Sequence, residues 1–363
     1  MNGMSVADKK KRIGVIDFYR SFALLGIIVI HAYGNVFSHV DTDYSKLEEI
    51  LRNIVSLLLM DRCNTIFNIL FGVSFYLILK NPNNTSGKFI WRCLLLCLFG
   101  VINMYFYWGD VLLLYGLCGI LLTAFRNSPP KALFLCSLLF IVFSAIANNL
   151  KIADNLPEAT TYDRCDLANT VYTNMVECPL SIYKHLKFSL NGSLFRIFAF
   201  FLLGYSIAKK GYIDALEDIS NVKNITKALI VSVLFFELKK IPCAFFYYIT
   251  YLLFISSCSI LYCLIISYIY YRCTFMKTIF SKFEPYGKLG LTNYSMQSIL
   301  LVLFLTNFNS QHLFSYSESL TIAIVFWICQ ALFSYYWIKY YRYGPFEWVW
   351  RCLTERQYIE NKK

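Results

Sequence analysis

Ten apolar runs, nearly all of them seventeen residues or longer, follow one another between residues 13 and 341. An α-helix rises about 1.5 Å per residue, so roughly 20 such residues cross the ~30 Å hydrocarbon layer of a bilayer. No water is available there to satisfy backbone amides, which leaves the helix as the spanning form for runs of this length. The runs occupy 13–34, 63–80, 89–108, 110–126, 132–150, 192–209, 226–239, 243–271, 288–306 and 318–341. The expected fold is all-α, a polytopic transmembrane helix bundle of about ten helices. One integral membrane domain then covers 1–363, with a cytoplasmic tail at 1–12, the bundle at 13–341 and a cytoplasmic amphipathic tail at 342–363. The seventh run is short and the eighth long, so their limits are the loosest. Segment 46–62 reads as an amphipathic helix lying on the membrane surface.

Composition agrees. Only 15% of residues are charged, against about 25% in soluble domains. The aromatic content of 18% suits a chain with many membrane–water boundaries. A net charge of +12 raises the question of nucleic acid, but the cations lie in short clusters between apolar runs, where positive-inside anchoring accounts for them. With the N-terminus in the cytoplasm, inner segments hold 23 of the 34 lysines and arginines, outer segments hold 9, and Arg20 and Arg196 fall within helices. That split favours ten spans with both ends inside. The opening Met1–Arg12 is basic and precedes an apolar run, as in a signal peptide. That run contains Asp17 and Arg20 and lacks a convincing cleavage site, so it reads as a retained first helix.

The thirteen cysteines include no Cys-x-x-Cys pair, and most sit in apolar runs, where cysteine behaves as a small hydrophobe. No metal site is expected. Cys165 and Cys178 share the longest polar loop and can form a disulfide if it faces an oxidising compartment.

A charge in mid-membrane costs roughly 2.5–3.5 kcal/mol on insertion scales, so each needs a partner or a role. Asp17 and Arg20 lie three residues apart on one helical face and can pair, which by itself describes a structural ion pair. His31 follows Arg20 by eleven residues, close to three turns, which places the two on the same face about 16 Å apart. An extended acyl-pantetheine arm has that reach. Arg20 suits phosphate, and His31 suits a general base towards an acceptor hydroxyl or amine. The plain alternative is an interfacial histidine. Asp110, in the turn after Trp108, can orient a histidine or bind an acceptor, or it can be an exposed turn residue. Asn293 and Gln297 share a face four residues apart and either join helices or bind a ligand. Arg196 reads as structural, while Lys239 and Lys240 sit at an outer boundary against the positive-inside trend.

These segments resemble the YeiB-like family of bacterial membrane proteins, classed as domain of unknown function 418. The matching residues run from Ile16-Asp17-Phe18-Tyr19-Arg20 with Ala23-Leu24-Leu25-Gly26-Ile27, through Leu70-Phe71-Gly72, to Gly109-Asp110-Val111-Leu112 with Tyr115-Gly116-Leu117. Gly287-Lys288-Leu289-Gly290-Leu291-Thr292-Asn293-Tyr294 with Gln297-Ser298, and Gly344-Pro345-Phe346-Glu347-Trp348-Val349-Trp350-Arg351, complete the set. The family looks like a distant relative of membrane acyltransferases. Resemblance to acyltransferase family 3 implies a first helix carrying Arg and His with ten residues between them, a spacing that Arg20 and His31 match. Resemblance to the lysosomal heparan glucosamine N-acetyltransferase implies a histidine soon after helix one, where His39 stands. The chain departs from its own family at Arg20-Ser21, usually Arg-Gly, and at His31, more often Asn.

Two functions are compatible with these residues. One is a transmembrane acyltransferase of the bacterial cytoplasmic (inner) membrane, moving an acyl group, acetyl by expectation, from cytoplasmic acyl-coenzyme A to a small-molecule or glycan acceptor at the outer face. Its candidate catalytic residues are His31, His39 and Asp110, and its coenzyme-binding candidates are Arg20, Asn293 and Gln297. The other is a non-enzymatic transporter or an export or immunity component for a small molecule or peptide. The lipid bilayer is the expected partner in both, and nucleic acid in neither.

Overall fold

The structure is a computed structural model that describes residues 14–32, 46–81, 84–106, 110–150, 178–307 and 315–363. Among these residues it is helical throughout, apart from turns, short connections and one bridge between Tyr341 and Lys362. The first part of the chain forms α1 (Gly14–Ile30), α2 (Lys46–Leu58), α3 (Arg62–Leu79), α4 (Ser86–Met104), α5 (Leu112–Leu122) and α6 (Pro130–Leu150). There follow α7 (Cys178–Ser189), α8 (Ser193–Lys209), the short α9 (Leu216–Ile219), α10 (Val222–Leu238) and α11 (Ala244–Arg272). The last four are α12 (Thr274–Lys288), α13 (Gly290–Asn307), α14 (Tyr316–Tyr340) and α15 (Pro345–Glu355).

Each of the ten apolar runs is a helix. Five stretches among the described residues are long and apolar enough to cross a membrane, namely 46–79, 86–104, 130–150, 244–272 and 316–340. The chain is thus an all-α, multi-pass membrane protein. The amphipathic reading of 46–62 corresponds to α2, which leaves Leu47, Ile50, Ile54, Leu57 and Leu58 exposed, an apolar face suited to lipid. The amphipathic tail is α15. Besides α7, which falls in the longest polar loop, and the one-turn α9, the helix missed from sequence is α12, placed there in a cytoplasmic loop. Its lysines and Pro285 interrupt any apolar run, yet it packs extensively on α1 and α14.

Small residues set two close crossings. A Cβ on Gly72 would stand 2.0 Å from the Phe201 carbonyl oxygen, and one on Gly204 would stand 1.9 Å from that of Ile69, so α3 and α8 touch backbone to backbone. Van der Waals packing at such contacts replaces the hydrophobic drive that lipid removes. Phe71 and Phe201 stack beside the crossing with ring centroids 4.3 Å apart. Gly287 of α12 does the same for α1, since a Cβ there would meet the Asp17 carbonyl oxygen at 1.8 Å. These contacts hold α1, α3 and α12 around one cavity.

Candidate functional site

The cavity has a volume of about 290 Å³, and its lining comes from α1, α3, α4, α5, α12, α13 and α15. One end carries the cations Arg20, Arg92 and Lys288. Arg20 is fixed in two directions: one guanidinium nitrogen donates to Asp17 Oδ1 at 2.8 Å, and the other to Ser74 Oγ at 2.8 Å. The hydroxyl of Ser74 in turn donates to the Leu70 carbonyl at 2.7 Å. The Asp17–Arg20 pair expected from their spacing is therefore formed, and it aims a charge at the cavity. Arg92 makes no ion pair among the described residues. Its guanidinium lies 4.6 Å from the centroid of the Trp350 ring, whose Nε1 donates to the Arg92 carbonyl at 3.0 Å.

Helix α15 lines this end with Glu347 and Trp350. Glu347 accepts hydrogen bonds from the backbone N–H groups of Leu291 (2.7 Å) and Thr292 (3.0 Å) and from the Thr292 hydroxyl. A carboxylate on the first free N–H groups of α13 complements that helix's dipole. Burial raises the Glu347 carboxyl above its ordinary value, and these hydrogen bonds hold the rise back. The contact joins two segments more than fifty residues apart, Gly287–Tyr294 and Gly344–Arg351. Lys88 pairs with Glu355 at 2.6 Å, and Trp91 Nε1 donates to the Leu353 carbonyl at 3.0 Å, which pins the far end of α15 to α4.

The other end of the cavity is aromatic and then polar. Tyr115 and Tyr294 line it. The Tyr294 hydroxyl accepts from the Val111 N–H at 3.3 Å and hydrogen-bonds the carboxylate of Asp110. Asp110 is fully buried, not an exposed turn residue, and it also accepts from Asn103 Nδ2 at 2.8 Å and the Leu112 N–H at 3.0 Å. Asn103 Nδ2 reaches Ser298 Oγ as well, at 3.1 Å. His31 is buried at the end of α1, where the helix widens into a π turn over residues 31–32. Such turns recur at functional positions. His31 does not itself line the cavity; its ring packs edge-on against that of Tyr294, with centroids 5.9 Å apart.

Arg20 and His31 are thus joined through the cavity wall, Arg20 at one end and Tyr294 in contact with His31 at the other. The same separation recurs on α4: Arg92 and Asn103 are also eleven residues apart, about 16 Å along a helix.

Asn293 and Gln297 stand elsewhere, outside the cavity lining. Asn293 Nδ2 donates to the Tyr286 carbonyl (2.8 Å) and Ser334 Oγ (2.9 Å), and Gln297 Nε2 to the Tyr286 hydroxyl (3.0 Å) and the Leu24 carbonyl (3.2 Å). Their donors join α1, α12, α13 and α14, in keeping with their reading as interhelical amides. His39 and the Cys165–Cys178 disulfide lie outside the described residues. Reading the sequence alone missed Arg92, Lys288, Tyr294 and Trp350 as cavity residues. The two cations were absorbed into the positive-inside count, while Tyr294 and Trp350 stood inside the family motifs without a role.

Residues 215–357 match the family model "Protein of unknown function (DUF418)". An uncharacterized 39.9 kDa protein from the amylase 3′ region of Bacillus acidopullulyticus is 26% identical over 355 residues, covering 95% of this chain and 94% of that protein. The uncharacterized protein YxaH of Bacillus subtilis (strain 168) is 25% identical over 415 aligned positions, 98% and 97% of the two chains. The uncharacterized protein YeiB of Escherichia coli (strain K12) is 37% identical over 70 residues, 19% of this chain and 18% of its own.

Proposed function

We propose that this chain, which belongs to the YeiB-like DUF418 family, is a transmembrane acyltransferase that takes its acyl group from cytoplasmic acyl-coenzyme A. The observation that carries this reading is the cavity: a cationic mouth, an aromatic wall, and a buried polar cluster of His31, Tyr294 and Asp110 beyond it. Its volume of about 290 Å³ falls at the low end of small-molecule sites, which run from about 300 to 1,000 Å³. It suits a slender acyl-pantetheine arm. The nucleotide end of the coenzyme stays at the mouth, where Arg20, Arg92 and Lys288 meet its phosphates. The lysine and arginine distribution orients that mouth towards the cytoplasm, so the thioester arrives near the outer half of the bundle.

The residues divide the chemistry as follows. His31 removes the proton of an acceptor hydroxyl or amine as that group attacks the thioester carbonyl. The carbon–sulfur bond breaks, and the departing thiolate takes up the proton to leave as coenzyme A. Asp110 fixes the Tyr294 hydroxyl, which keeps the His31 ring in place through their edge-on contact. The acceptor is a small molecule or glycan reached from the outer side, and the membrane is the bacterial inner membrane. Incubating the purified protein with acetyl-labelled coenzyme A and following release of free thiol tests the reading. His31→Ala should lower the rate by about 10²–10⁴-fold, the usual loss for a general base, with the protein still folded. Full activity in His31→Ala would remove the histidine from the reaction, and no turnover or transfer by the wild type with any acceptor would remove the enzyme.

A further inference from the structure

A second cationic site stands at the opposite end of the bundle from the cavity mouth, and none of its residues lines the cavity. Arg62 opens α3, Arg196 lies on the first turn of α8, and Lys239 caps the end of α10. The rings of α11 hold two of them together: Phe254 has the Arg62 guanidinium 5.0 Å and the Lys239 ammonium 4.8 Å from its centroid. The two cations are therefore within about 10 Å, one Debye length at ~0.1 M salt. Arg196 joins through Asp61, whose carboxylate lies 3.5 Å from its guanidinium and accepts the Tyr251 hydroxyl. Lys239 also sits 5.7 Å from the centroid of the Tyr251 ring.

Three observations show that this cluster has binding capacity left over. Asp61 is the carboxylate paired with Arg196, so among the described residues three positive charges face one negative charge, and Lys239 is held by the faces of Phe236, Tyr251 and Phe254, which attract a cation without neutralising it. Arg196 has five donors, yet its hydrogen bond among the described residues is one long contact of 3.5 Å, and its side chain is 27% exposed. Arg62 is buried, spends NH1 on the Ser56 and Met60 carbonyls, and has no acceptor for Nε among the described residues. Asp61 itself is held in the left-handed region at φ 59°. Aspartate is among the few residues besides glycine that adopt this conformation readily, and Arg196 and Tyr251 hold its carboxylate.

We propose that Arg62, Arg196 and Lys239 form a second binding site, at the outer face, for a phosphate group carried either by a lipid or by a soluble molecule. Two guanidinium groups and an ammonium around an excess of positive charge match phosphate in charge and in donor geometry. The site stands on its own residues whether or not the cavity takes acyl-coenzyme A.

The test is a binding titration of the full-length protein in phosphatidylcholine nanodiscs with farnesyl phosphate, farnesol and inorganic phosphate. A phosphate-bearing probe should bind saturably and farnesol should not. Binding of farnesyl phosphate alone assigns the phosphate to a lipid, and binding of both phosphates shows that the free ion suffices. Arg196→Gln and Lys239→Gln should each weaken binding by about tenfold or more, as expected for a charged hydrogen-bonding partner. Arg196→Gln strands Asp61, so Lys239→Gln, which breaks no ion pair among the described residues, keeps the test independent of folding. Glu237→Gln, on the neighbouring Lys240 pair, should bind as the wild type does. Farnesol binding as tightly as farnesyl phosphate, no binding of either phosphate probe, or unchanged affinity in Lys239→Gln and folded Arg196→Gln would overturn the site.

Discussion

Replacing Asp17 by Ala removes one partner of a pair whose geometry bounds the cost. The Asp17 side chain is 6% exposed and that of Arg20 24%, at a separation of 2.8 Å. Breaking a fully buried pair costs about 3–5 kcal/mol because the surviving charge is stranded, whereas an exposed pair contributes about 0–1 kcal/mol. Arg20 is partly solvated and keeps its second arm on Ser74. The expected loss therefore falls between the two limits, about 2–3 kcal/mol. For a protein of this size that lowers the melting temperature by roughly 5 °C, readable by size-exclusion chromatography after a thermal ramp in detergent. If the cost is the stranded guanidinium, the double variant Asp17→Ala with Arg20→Met should regain most of the loss. An unchanged melting temperature in Asp17→Ala would refute the pairing, and a double variant less stable than the single one would refute the stranded-charge explanation.

The docking of α15 should depend on pH through Glu347. Burial raises the folded carboxyl above its ordinary value, so docking contributes fully below the ordinary glutamate range and weakens as pH rises through the raised value. Tail cleavage by added protease should accordingly speed up as pH rises, and Glu347→Gln should flatten that dependence; an equal pH response in the variant would assign it to another group. Topology is open to labelling, because Cys243 is a free, exposed cysteine between α10 and α11. A membrane-impermeant maleimide should reach it from the outer side of intact cells, and labelling only after permeabilisation would invert the orientation.

The bundle was legible because lipid reduces the folding problem to length and apolarity, and each of the ten runs became a helix. Helix α12 was not, since hydropathy weighs its lysines and Pro285 but not the face that Gly287 presses on Asp17. At the site, spacing along one helix was readable: three residues gave the Asp17–Arg20 pair, and eleven separated Arg20 from His31. Contacts between distant segments were not. Nothing within α13 or α15 alone announces that Glu347 caps Leu291 and Thr292, or that Asp110 meets Tyr294. Arg92 was hidden for a different reason. A cation at the inner end of a helix already has an explanation as a membrane anchor, and only the cavity beside it adds another.

Equilibrium binding of acetyl-coenzyme A to the protein in nanodiscs reaches the central claim most directly. The cationic mouth predicts saturable binding, weakened about tenfold or more by Arg92→Ala and by Lys288→Ala, each of which removes a charged phosphate partner. His31→Ala, behind Tyr294 and away from the cationic mouth, should leave the affinity within about twofold. Absence of saturable binding, or affinity unchanged in both cation variants, would contradict the assignment of this cavity to an acyl-coenzyme A.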